Sequence, residues 1–251
     1  MTEKRYYPTK EEAISCITDD VAKQLGFEKA EDLYERYNGY GSFCLERFIN
    51  FNDNFFKESY DSLEFAENYD NDSYGRVSGG HALLSAETII IKGGSKGSSK
   101  YERKFDTGHI LAHMLIGKMD GFNSSKNNTN NIFPQTTWSN GGDRNYESAK
   151  INSNRGNSQF TYESRILNKI KKNKQQYDEF RIYYQVRLIY HGEEGVPRGI
   201  HIQATSNDIS QELNKNNKNL NVFIPNVRYG EEGVELEYSS WEKNSLDPKY
   251  R

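Results

Sequence analysis

Two of the five histidines in this 251-residue chain stand four residues apart in FDTGHILAHMLIG, residues 105–117. The first, His109, closes a polar turn, Asp106-Thr107-Gly108-His109, and apolar residues follow at once. An imidazole with an ordinary pKa near ~6.5 accepts a proton at neutral pH, which suits general-base work. A His pair at i and i+4 of a helix shares one face and could instead hold zinc. The zincin pattern needs Glu directly after the first His, where this chain has Ile110, and no third ligand accompanies the pair. Zinc is therefore set aside, and His113 reads as packing. DNDSYG at 70–75 imitates the opening of a calcium loop, but position five is Tyr74 and position twelve His81, where a bidentate Glu belongs. Calcium is set aside too, and His81, His191 and His201 read as structural.

Other groups follow His109 in order. They are Asn131-Ile132-Phe133-Pro134-Gln135, then Asn140, then Tyr162-Glu163-Ser164 at a predicted helix start. This string resembles the DNA/RNA non-specific endonucleases, the His-Me finger (ββα-metal) group. Within the group it is most similar to streptococcal secreted DNases and competence DNA-entry nucleases. GRVSGGHALLSAETI at 75–89 resembles the segment before their catalytic motif. TYESRILNKI resembles their YYES helix, and NVFIPNV a late strand. The likeness spans roughly residues 70–240 and leaves 1–70 uncovered.

The resemblance implies an α+β fold, a ββα-metal nuclease core with a mainly antiparallel sheet. It implies a metal-dependent endonuclease that cuts DNA, with RNA as a further substrate, leaving a 5′-phosphate and a 3′-hydroxyl. His109 matches the general base. Asn140 matches the amide that holds Mg²⁺ (or Mn²⁺) in a water shell, Glu163 the carboxylate that holds the metal's waters, and Asn131 an Asn that supports the site. A second Tyr-Glu-Ser at 146–148 makes Glu147 the alternative acidic partner. Glu163 is preferred because the residues after it continue a helical pattern. The family's usual motif is Asp-Arg-Gly-His, and here Thr107 stands where the Arg would be. Arg103, Lys104, Arg165 and Lys169 are the candidates for contacting nucleic acid in its stead. The rival reading is a nuclease fold that has lost catalysis and only binds nucleic acid or a partner protein.

The elements that must position these groups are partly legible. Thr9-Lys10-Glu11-Glu12 fits a capping box, and Ala13, Ile14, Ile17, Val21 and Leu25 continue at helical spacing to a stop at Gly26. KAEDLYERY predicts a second helix and CLERFINFNDNFF a third, reaching toward SLEFAENY. ETIIIKGG predicts a short strand and GSKGSSKYERK a basic loop. The polar stretch 121–145 is too irregular for regular structure and too long for an idle connection. TYESRILNKIKKNK predicts a helix with Tyr162, Ile166 and Ile170 on one face. RIYYQVRLIY alternates as a half-buried strand, with Ile182, Tyr184, Val186 and Leu188 inward and Tyr183, Gln185 and Arg187 outward. GIHIQATS, NVFIPNV and VELEY predict three more strands.

The formal charge of −3 is unevenly spread. Residues 1–75 carry 8 Lys+Arg and 17 Asp+Glu, a balance of −9, so the remainder carries +6. Residues 76–175 alone carry 16 Lys+Arg against 7 Asp+Glu, or +9, which suits a polyanionic substrate. We expect an acidic helical region over 1–69, as adaptor, inhibitor-docking or regulatory segment, and a nuclease domain over 70–251. The two cysteines form no disulfide framework. No membrane span and no secretory signal are expected, so the protein stays cytoplasmic or leaves without a cleaved signal. A nuclease in its own cytoplasm endangers its maker, so an inhibitor or immunity protein, or a role as an antibacterial toxin or defence effector, is expected.

Overall fold

A computed structural model describes residues 7–46, 64–90, 101, 105–141, 156–174, 180–208, 212–213, 219–230 and 236–240. Three short helices open it: α1 (Lys10–Ile14), α2 (Asp19–Gln24) and α3 (Ala30–Tyr34). The capping box at Thr9 and Glu12 forms as the sequence predicts. The single helix expected from Thr9 to Gly26 is two helices. Thr18 takes an extended backbone and accepts a hydrogen bond from Val21 N at 3.3 Å, so it starts a new helix inside the periodic run.

The central element is a six-stranded antiparallel sheet in the order β1-β8-β7-β6-β3-β2. Its strands are β1 (Phe43–Cys44), β2 (Ala66–Asn68), β3 (Gly79–Leu84), β6 (Ile182–Ile189), β7 (Gly199–Ser206) and β8 (Leu220–Pro225). A separate two-stranded ladder pairs β4 (Asp106–His109) with β5 (Ile132–Gln135). Helices α4 (His113–Ile116), α5 (Thr137–Asn140) and α6 (Gln159–Asn173), with a 3-10 turn over Thr129–Asn131, complete the described elements. No helix among the described residues is long and apolar enough to cross a membrane.

Several expectations are corrected by tertiary pairing. Cys44 and Ala66–Asn68, expected at the ends of a third helix, lie in strands, because Cys44 pairs with Val222 and Ala66 with Ala82. Residues 47–63 between them lie outside the described residues. Residues 87–90, expected as a strand, form a turn, and Thr88 Oγ1 donates to Leu115 O at 2.8 Å. Leu236–Tyr238 of VELEY are not strand either. The polar stretch 121–145 holds β5 and α5, so it is more regular than its composition suggests.

Alternation along β6 sends Ile182, Tyr184, Val186 and Leu188 into the main core beside Tyr162, Ile166 and Ile170 of α6. The opposite face of β6 is also covered: Tyr183 and Gln185 are buried, so the strand is not half-exposed as its pattern predicts. Helices α1–α3 supply Ala13, Val21 and Leu33 to a second core. Phe43 of β1, Ile189 of β6 and Phe223 of β8 lie in the same core. The acidic N-terminal helices are thus packed against the sheet that carries the nuclease-like motifs.

This shared core makes a stability prediction. Leu33 is fully buried, so Leu33→Ala should cost about 2–5 kcal/mol. Urea unfolding followed by fluorescence and by far-UV circular dichroism should show the two signals shifting together in one transition. An early, separate transition of the N-terminal helices would contradict the shared core.

Candidate active site

His109 is the last residue of β4 and pairs with Ile132, the first of β5. The chain then turns into α4, and Asn131 fixes that turn. Its Oδ1 accepts from Leu111 N at 2.9 Å, its Nδ2 donates to Leu111 O at 3.0 Å, and its own carbonyl accepts from Ile110 N at 2.9 Å. Asn68 Nδ2 donates to the same Oδ1 at 3.1 Å, tying the turn to β2. A fully buried amide satisfied in this way is costly to disturb. Asn131 therefore sets the path of the backbone that leaves His109.

Beneath His109 runs a chain of buried polar side chains. Gln159 Nε2 donates to the His109 carbonyl at 2.8 Å and to Glu163 Oε1 at 2.7 Å. Gln159 Oε1 accepts from Gln135 Nε2 at 2.8 Å, and Tyr184 Oη donates to Glu163 Oε1 at 3.0 Å. Glu163 thus has one oxygen held by two donors, and its Oε2 makes no hydrogen bond among the described residues. Gln159 and Glu163 are one helical turn apart, a spacing that places both on one face of α6. Gly108 is required by this packing: a Cβ there would stand 2.1 Å from Gln135 Oε1.

Asn140 ends α5, whose first turn is capped by Thr136. Its Nδ2 donates to Asp106 Oδ2 at 2.8 Å, and its Oδ1 makes no hydrogen bond among the described residues. Asp106 thereby orients the amide with its oxygen left available. Asn226, fully buried, holds the segment that carries Asn140. Its Oδ1 accepts from Thr136 N at 2.8 Å and Ser139 Oγ at 3.0 Å. Its Nδ2 donates to the carbonyls of Pro134 at 3.2 Å and Pro197 at 3.0 Å. No group of three or more His, Cys, Asp or Glu side chains among the described residues forms a metal cage. One free amide oxygen and one half-engaged carboxylate instead fit a hard cation that keeps most of its own waters, as Mg²⁺ does.

Burial sets the protonation of the site. It is the largest cause bringing His109 down to about 4, with the charges of His113 and Lys126 adding to it. The imidazole is therefore neutral at physiological pH. Burial also lifts Glu163 to about 8, against the opposing hydrogen bonds from Gln159 and Tyr184. The Tyr184 phenol, buried beside that carboxyl, is pushed well above its ordinary value and stays a donor.

The predicted residues are not all drawn together. His109, Asn131 and Glu163 are joined through Leu111 and Gln159, and Asn140 reaches β4 through Asp106. Arg165 turns away from Glu163: its guanidinium lies over the Tyr162 ring at 4.9 Å and donates to Asn157 Oδ1 at 2.9 Å. Lys169 is half-buried on α6. Arg103, Lys104 and Glu147 lie outside the described residues. His113 donates or accepts at Ser124 Oγ, 2.8 Å away, rather than packing alone. Sequence reasoning quoted Gln135 within the motif string without a role, and missed Gln159, Tyr184, Asn226 and Lys126. Only Gln159 had a local signal, its four-residue spacing from Glu163.

Two solved structures share this fold. NucA from Streptococcus agalactiae with no metal bound is 20% identical, with a TM-score of 0.59 over 87% of this chain and 96% of that one. The same nuclease with magnesium ion bound is 22% identical, with a TM-score of 0.58 over 79% of this chain and 84% of that one. The family profile described as DNA/RNA non-specific endonuclease matches residues 33–248, which takes in the end of α3, β1 and every site residue named above. The chain belongs to the DNA/RNA non-specific endonuclease family and is an endonuclease.

Proposed function

We propose that this endonuclease hydrolyses DNA, and RNA as a second substrate, with His109 as general base and a divalent cation held by Asn140. The observation that carries the reading is the division of labour between two partly buried groups. His109 is kept neutral and able to take a proton from water. Asn140 is turned by Asp106 so that its oxygen is free. Bound Mg²⁺, or Mn²⁺, would neutralise charge on the phosphate and on the leaving oxygen. The magnesium-bound streptococcal relative of the same fold supports that choice of ion. Glu163 would hold the metal's waters through the oxygen that Gln159 and Tyr184 leave open. Asn131 acts through the backbone, as a positioning residue for His109.

Control of such an activity is part of the proposal. The chain serves as an exported antibacterial toxin or a defence effector, restrained in its maker by an inhibitor or immunity protein. The excess of acid over base in residues 1–75 supports an N-terminal docking role. Helices α1–α3 would play it as a fixed part of the sheet's second core rather than as a detachable cover.

Plasmid DNA incubated with Mg²⁺ should be degraded by the native protein and left intact when EDTA is added. His109→Ala should lose at least about 10²-fold in rate, the usual contribution of a positioned base, with an unchanged circular dichroism spectrum. Native-like cleavage by that variant would sink the mechanism.

The shift of His109 fixes the sign of a pH effect. Its folded value, about 4, lies below the ordinary 6.5. The neutral form is thus favoured by folding, and this contribution to stability erodes as pH falls below 6.5 toward 4. Loss of the base by protonation should begin only well below pH 6.5, and a His109 imidazole titrating near 6.5 by NMR would contradict its burial.

Glu163 behaves in the opposite sense. With a value near 8 it is protonated in the metal-free protein at neutral pH. Titration with Mg²⁺ at pH 7, followed by calorimetry in two buffers of different ionisation enthalpy, should show proton release. Glu163→Gln should abolish that release.

A further inference from the structure

A loop from Ser124 to Asn131 begins and ends on the stretch that follows His109. At one end Ser124 Oγ pairs with His113 Nδ1 at 2.8 Å. At the other, Asn131 brackets the backbone of Leu111 with both atoms of its amide, and the next residue, Ile132, is the strand partner of His109. Between the anchors, Asn128 Nδ2 donates to Asn123 O at 2.9 Å, closing the loop on itself. Both ends are therefore fixed to Leu111 and His113, within four residues of the general base, so the loop is held on the same turn.

It carries one cation. Lys126 is two residues from the Ser124 anchor and half-buried. It has no carboxylate partner among the described residues, whereas Arg76, Arg181 and Arg198 are paired with Asp72, Glu64 and Glu194. The charge of Lys126 reaches His109, where it helps to disfavour the imidazolium. A half-buried ammonium with no counter-ion among the described residues, on a loop tied to the turn after a base that acts on a phosphodiester, is an incomplete arrangement until an anion arrives. The position where the family's motif has Arg offers no charge here: Thr107 is buried and sits in the ladder opposite Pro134. Arg165 is occupied with Tyr162 and Asn157.

We propose that Lys126 contacts the scissile phosphodiester beside His109 and supplies the phosphate-clamping charge that position 107 lacks. The inference rests on the nuclease reading above, and specifies which residue grips its substrate. As a point charge on a flexible stem, Lys126 would follow the phosphate through the reaction without the fixed fork geometry of an arginine.

The test uses the full chain with a double-stranded oligonucleotide and Mg²⁺. Lys126→Ala should lower kcat/KM by about 10²-fold, the scale for losing one donor to developing charge. Lys126→Arg should restore most of it. Binding is measured separately in a His109→Ala background with EDTA present. There, replacing Lys126 should reduce the slope of log affinity against log salt by about one phosphate contact, roughly 0.9. A native kcat/KM in Lys126→Ala overturns the proposal. So does a loss of rate that leaves the salt slope unchanged, because that marks a structural role for the loop. Full cleavage by His109→Ala alone would overturn the general-base reading instead, and the salt slope would still decide the lysine.

Discussion

The side-chain amide of Gln159 is where the parts of this molecule meet. Its two donor hydrogens go to the carbonyl of His109 and to Glu163, and its oxygen accepts from Gln135. These three partners belong to β4, α6 and β5. Glu163 carries the link onward to Tyr184 in β6, inside the large sheet. A small two-stranded ladder has little area of its own to bury and would be marginal alone. It is positioned because a buried amide, with every hydrogen bond satisfied, holds it to the helix and through the helix to the sheet. Removing any member would leave the others desolvated and unpaired, which is why such a network specifies a single arrangement.

The same burial has opposite consequences for the two titrating groups that the network supports. A histidine loses its cationic form and a carboxyl loses its anionic form when water is withdrawn. His109 falls to about 4 and Glu163 rises to about 8 without any charged residue being needed as the main cause. A histidine that stays unprotonated and a carboxyl that stays protonated at neutral pH are thus two results of one physical condition. Environments that separate the pKa values of neighbouring groups are the mark of assigned chemical roles.

Much of this was legible in the sequence, for physical reasons that also explain what was not. The helix around Glu163 could be read because Tyr162, Ile166 and Ile170 repeat on one face, and β6 could be read because apolar residues alternate. The order of His109, Asn131, Asn140 and Glu163 gave the resemblance to the family. The strands β1 and β5 carried no comparable pattern. Phe43–Cys44 is a strand only because β8 lies beside it, and Ile132–Gln135 is buried at all four positions, so no alternation appears. The covered second face of β6 was invisible because its residues are polar: Gln185 donates to Tyr69 Oη, and Tyr183 pairs with His81. Asn226 and Tyr184 reach the site from sequence separations that no local rule samples. The charge excess that sets residues 1–69 apart is a property of surfaces, whereas Val21, Leu33 and Phe43 lie in a core shared with β6 and β8.

The sheet has one further consequence, for the behaviour of the protein in crowded solution. An open antiparallel sheet ends in two borders, and a long bare border invites strand-by-strand association between molecules. Here the bordering strands are the shortest in the sheet, β1 with two residues and β2 with three. The long strands β6 and β7, of eight residues each, are enclosed between neighbours. Among the described residues, the longest strands are therefore withheld from other copies, and the bordering strands offer only short edges.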